Sequence, residues 1–211
     1  MKFSRSIIFG GLAALIGLSV ATAQVNVVPQ TGLITGVLNK TTYTAVALAL
    51  PPASSATDVA CIAGSASKTI KITRMMISGT ANTLVTLPVT LLRRNTADTG
   101  GTAATTTANW ANTIAKMDSN NPTASATLIS YSANPTINDA SPTYIRSQEV
   151  TLPVTSAGTV INPGLWLFSE NGVGLGQPLT LRGAAQQACV NLNSVSVSTG
   201  LLHISAEWYE E

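Results

Sequence analysis

"SKTIKITRMMISGTANTLVTLPVTLLRR", residues 67–94, carries two apolar rows of period two. In its second half Val85, Leu87, Val89 and Leu91 alternate with Thr86, Pro88 and Thr90, the pattern of a strand with one face on a core and one toward solvent. Pro88 has no N–H to give a neighbouring strand, which places this strand at a sheet edge or residue 88 at a bulge. In the first half Ile70 and Ile72 share a face, and the row then slips by one residue to continue through Met75 and Ile77. A β-bulge at Thr73-Arg74 produces such a slip, and bulges bend strands where sandwiches and barrels curve.

Period two recurs along the chain and predicts further strands over residues 43–50, 57–63, 126–132, 144–152, 159–168, 179–181, 188–197 and 201–208, separated by Gly, Pro, Asn and Ser clusters. "VSVSTGLLHISAEW", residues 195–208, reads as a β-hairpin turning at Thr199-Gly200. Its second strand places Leu202, Ile204, Ala206 and Trp208 on one face and Leu201, His203, Ser205 and Glu207 on the other. Residues 109–117 are the one candidate helix, with Trp110, Ile114 and Met117 on a common face. About ten short antiparallel strands with polar connections predict an all-β chain, a β-sandwich of jelly-roll type. No internal repeat supports a propeller or solenoid.

The chain has 211 residues. Residues 1–23 read as a secretory signal: Lys2 and Arg5 precede an apolar run from Ile7 to Val20, and Ala21-Thr22-Ala23 ends it with the small-x-small pattern of a cleavage site. The run falls short of the roughly 20 residues of a spanning helix, so no stable membrane span is expected. The expected destination is extracellular or periplasmic, with a virion as an alternative. Residues 24–42 show weak periodicity and read as an N-terminal arm, a candidate for packing on a neighbouring subunit, ahead of a single domain over 43–211. Only 9% of residues are charged, against about 25% in ordinary soluble domains. The formal charge of +2 includes the two cations of the signal, so the remainder is near neutral, which argues against nucleic-acid binding.

Groups able to do chemistry are few. The one histidine, His203, lies on a strand, and no G-x-S-x-G elbow accompanies it, so no catalytic residue is expected. Two distant cysteines and one histidine lack any zinc-ligand spacing, and "DSNNPTAS" from Asp118 lacks the closing acid of a calcium loop, so neither metal nor cofactor is expected. "GVGLG", residues 172–176, is followed by Gln177-Pro178 instead of a helix and reads as a turn. Cys61 and Cys189 can either pair or stay separate. In an oxidising compartment a disulfide closing so long a loop would contribute about 5 kcal/mol in the chain-entropy model. In the terminal "EWYEE", Trp208 is expected to plug the core and Glu210-Glu211 to stay solvated.

Alternation puts Arg93 on the apolar face of its strand, at the rim of the core, and Arg94 on the opposite face, solvated or touching a neighbouring molecule. The uncharged Thr-rich stretch beyond them is the candidate for intermolecular contacts. Trp110 and Trp166 are the candidate ligand-contacting aromatics of a glycan-binding alternative, although aromatics total only 5% and form no spaced row.

Four segments in order, "ATDVACIAGSASKTIKITRMMISGTANTLVTLPVTLLRRNTADTGGT", "SATLISYSANPT", "LTLRGAAQQACVNLN" and "AEWYEE", resemble a group of small, largely uncharacterised proteins encoded in tailed-phage and prophage genomes and taken as virion structural components. The resemblance covers roughly residues 43–211 and departs at the signal segment and at Cys61 and Cys189. It implies a non-enzymatic particle or appendage protein. The neutral hydroxyl-rich composition, the arm without a core pattern and the lack of reactive groups add the expectation of a structural protein that self-associates as a homo-oligomer or assembles with other virion or surface proteins. A secreted glycan-binding or adhesive module is the alternative.

Overall fold

The computed structural model describes residues 40–154, 163–168, 177–197 and 199–211. The expected signal segment, nearly all of the expected arm and "GVGLG" lie outside them, as does the start of the strand expected over 159–168. Twelve strands follow one another among the described residues: β1 (Thr41–Leu50), β2 (Ala56–Ala63), β3 (Thr69–Thr80), β4 (Val85–Arg94), β5 (Thr102–Ala103), β6 (Ala115–Lys116), β7 (Thr127–Ala133), β8 (Thr143–Leu152), β9 (Gly164–Leu167), β10 (Leu179–Arg182), β11 (Gln187–Val195) and β12 (Leu201–Glu210). Thr41 and Thr42, assigned to the arm by their weak pattern, are therefore the start of β1.

The strands form two antiparallel sheets. The first runs β10-β3-β12-β1-β6, with β9 also beside β3, and the second runs β5-β7-β2-β11-β4-β8. Without the short β5, β6 and β9 and the added β7, the order β10-β3-β12-β1 faces β2-β11-β4-β8, which is the jelly roll of two four-stranded sheets. Among the described residues no helix is long and apolar enough to cross a membrane.

The bulge expected at Thr73-Arg74 is present. β12 pairs Glu207 with Arg74 and Trp208 with Ile72, so Thr73 has no residue opposite it. Its carbonyl nonetheless accepts from the Phe168 N–H at 2.8 Å and its hydroxyl donates to the Glu207 carbonyl at 3.1 Å. The bulge also divides the outer edge of β3, with β10 along Thr69–Ile72 and β9 along Arg74–Ile77. The slipped phase sends Ile70, Ile72, Met75 and Ile77 together into the core between the sheets. They pack there with Leu87, Val89 and Leu91 of β4 and Leu202, Ile204 and Trp208 of β12. Each such side chain, taken fully out of water, contributes about 1.5–3 kcal/mol. Trp208 stacks on Tyr43 with ring centres 5.6 Å apart.

Three expectations are corrected. First, residues 195–208 are not a hairpin, because β11 is central in the second sheet and β12 central in the first. Thr199, at φ 48°, does reverse the chain, but the chain crosses between sheets and β12 pairs with β1 and β3. Second, residues 109–117 form only a 3-10 turn at Trp110–Thr113, capped by the Asn109 side chain. Ala115 and Lys116 are captured as β6 by the edge of β1, an extended pairing that outcompetes helix. Third, β4 is not an edge strand. Its ladder with β11 ends at Thr90, however, because β11 bends away through Asn193 and Ser194 at φ 52° and 61°. Pro88 thus faces a local gap in the ladder, where its carbonyl accepts from Asn193 Nδ2 at 2.6 Å.

Candidate functional site

Cys61 and Cys189 stand directly opposite each other on β2 and β11, with Cα atoms 4.1 Å apart, and are joined in a disulfide 128 residues apart in sequence. They project from the face of the second sheet turned away from the main core, and both are fully buried there with Tyr131, flanked by Ile129. Leu92 lies opposite Cys189 on the neighbouring strand. This outer face is therefore covered, and the cover is the segment after Arg94, which brings Asp98 to 3.9 Å from the Cys61 sulfur.

Arg94 consequently does not reach solvent, contrary to the expectation from alternation. It does point away from Leu91 and Arg93, but into the covered face, where it is 3% exposed. Its Nη2 donates to Asp58 Oδ1 at 2.9 Å, its Nε to Asp58 Oδ2, and its Nη1 to the Asp139 carbonyl at 2.9 Å. Asn191 Nδ2 donates to the same Asp58 Oδ1. Asp98 Oδ1 lies 3.6 Å from Arg94 Nε and has no hydrogen-bond partner, while the Asp98 N–H donates to Gln187 Oε1 at 3.0 Å.

The protonation pattern follows from this packing. Burial, with Asp58 beside it, pushes the Asp98 carboxyl up to about 7, against the opposing pull of Arg94. Burial disfavours the Arg94 charge, but the hydrogen-bonded Asp58 and the fields of Asp98 and Asp139 outweigh it and raise its pKa. Asp139 is held low by the N–H groups of Asn95 and Ser141. Ligand atoms of Asp58, Cys61, Asp98 and Cys189 all lie within 4.8 Å of one another. The sulfurs are bonded to each other and the guanidinium already occupies the cationic place between the carboxylates, so this donor set does not fit a metal ion while the disulfide is intact. The group is a buried ion-pair cluster laid over a disulfide.

Arg94 and both cysteines stand out in the sequence, whereas Asp58, Asp98 and Asn191 do not. One signal was available for Asp58: it is the sole charge in the otherwise apolar and small strand "ATDVACIA", where an unpaired carboxylate would be costly. Trp110 and Trp166, expected as ligand contacts, are 0% and 4% exposed and belong to the core, so neither offers a surface. His203 lies exposed on the outer face of the first sheet, with Nδ1 accepting from the Ala49 N–H at 3.3 Å. Glu210, expected in solvent, is instead buried, and its carboxylate accepts from Ser125 N and Oγ, Ala126 N and Trp208 Nε1.

Arg93 emerges at the core rim as expected and, with Tyr144, Arg146 and Phe168, lines an open cleft of about 380 Å³. Comparison with family models, curated proteins and solved structures returns no match for this chain.

Proposed function

We propose that the protein is a non-enzymatic structural component of a virion or extracellular assembly, self-associating through neutral Thr-, Ser- and Asn-rich surfaces. The observation that carries this reading is the use made of the reactive residues. Both cysteines are in a buried disulfide, and Arg94 and Asn191 both donate to Asp58. These residues stiffen three strands of one sheet instead of facing a substrate. Jelly rolls recur in viral capsid and lectin domains, which agrees with the reading at the level of fold alone. Export suits a chain that carries a disulfide. The segment beyond Arg94 supplies surface for assembly: it is anchored by the buried Asp98, Ala104 and Trp110, while Thr99, Thr102, Thr105, Thr106 and Thr107 between them are exposed.

Light scattering coupled to size exclusion on the secreted protein tests this. Association that rises with concentration and weakens when Thr102 and Thr105 are replaced by Lys is expected. A strict monomer at high concentration sinks the assembly reading.

A further inference from the structure

The ladder between β4 and β8 pairs Leu91 with Arg146 and Leu92 with Tyr144, which leaves Ile145 as an extra, bulged residue. Bulges re-aim the side chains beside them. Here the bulge sets Arg146 opposite Leu91, and Arg93 follows Leu91 by two residues on the same face. The two arginines are thus diagonal neighbours, with backbones on the order of 7–8 Å apart.

Among the described residues neither guanidinium is in an ion pair, whereas Arg74 and Arg94 each meet a carboxylate. Arg93 Nε is buried without a hydrogen-bond partner. Two adjacent cations with an unsatisfied buried donor are unfavourable as a purely structural arrangement, and an anion between them would relieve both costs. Beside them the Arg146 guanidinium lies 5.9 Å from the Phe168 ring centre. Gln177 adds an exposed amide to the same cleft. The site is shallow and open, suited to a polar ligand arriving from solvent.

We propose that this cleft binds an acidic saccharide, with the sugar carboxylate between Arg93 and Arg146 and a sugar hydroxyl on the Gln177 amide. Arginine forks match carboxylate geometry, and a side-chain amide both donates to and accepts from sugar hydroxyls. The site is remote in kind from the buried indoles and needs no self-association.

The test is calorimetric titration of the protein produced from the full chain with oligosaccharides bearing glucuronate, galacturonate or N-acetylneuraminate, alongside their methyl esters and sodium acetate. Saturable binding of at least one acidic sugar is expected, with its ester weaker by about tenfold or more, as loss of a charge-assisted contact implies. Arg146→Gln and Gln177→Ala, both at exposed positions, should each weaken binding while leaving the melting temperature in place. Equal binding of acid and ester, acetate competing as well as the sugar, unchanged affinity in both variants, or no saturable binding across the panel would each overturn the proposal.

Discussion

Arg94 of β4 reaches across β11 to grip Asp58 of β2 with two nitrogens, so one ion pair spans three adjacent strands of the second sheet. Asn191, on the strand being crossed, donates to the same carboxylate. The pair is out of water on every side, and its worth lies less in net attraction than in the penalty for leaving either charge alone.

Asp58→Asn should accordingly cost about 3–5 kcal/mol, the usual consequence of stranding a buried charge. Replacing both partners, Asp58→Leu with Arg94→Met, should cost much less than the two single changes summed. Urea unfolding of the four proteins in this cycle measures the coupling directly; additive losses would mean that the pair is not the unit holding the strands.

The geometry of this pair also explains what the sequence could and could not reveal. Alternation correctly separated Arg93 from Arg94, because side-chain direction along a strand is a local property. Whether the face receiving Arg94 is wet depends on residues 95–101 folding back over it, which no local pattern encodes. The bulge at Thr73 was legible because it shifts the apolar row of its own strand. The partner of β12 was not, since Thr199-Gly200 reverses the chain equally well within a sheet or between two. Trp110 and Trp166 show the same limit: an indole in a strand-rich chain carries no local mark of burial.

The disulfide joins the centre of the second sheet, and both sulfurs are shielded from solvent. Cys61→Ala with Cys189→Ala should leave the β-rich circular dichroism spectrum intact while lowering stability by up to about 5 kcal/mol in the chain-entropy model. In the unaltered protein a reductant should act only when denaturant opens the fold. Thiol labelling read by intact mass, with and without denaturant, checks this, and rapid labelling under native conditions would contradict the buried placement.

Glu210 closes the chain onto the segment before β7 through two backbone N–H groups, a serine hydroxyl and the indole of Trp208. Glu210→Ala should destabilise by about 2–4 kcal/mol, since several donors lose one charged acceptor in a buried place. Glu211→Ala removes more exposed contacts to Lys40 and Lys71 and should cost no more than about 1 kcal/mol. Thermal melts of the two neighbouring variants distinguish a buried clamp from a general effect of charge at the last strand.

Asp98 makes stability depend on pH in a direction opposite to that of ordinary paired carboxylates. Its carboxyl is raised from 3.8 to about 7, so the folded chain holds a proton that the unfolded chain releases. Between those values the native state binds more protons, and stability from this group must fall as pH rises. Its contribution is complete below about pH 4 and is lost through pH 7, when a charged Asp98 joins Asp58 beside a single arginine. Asp139 and Glu211, whose pKa values are lowered, act oppositely and only at the acid end, so they leave the window from pH 5 to about 7.5 to Asp98. Urea midpoints measured across that window should decline for the unaltered protein and stay level for Asp98→Asn, which keeps the shape without the titration. A decline of equal slope in both would remove Asp98 as its source.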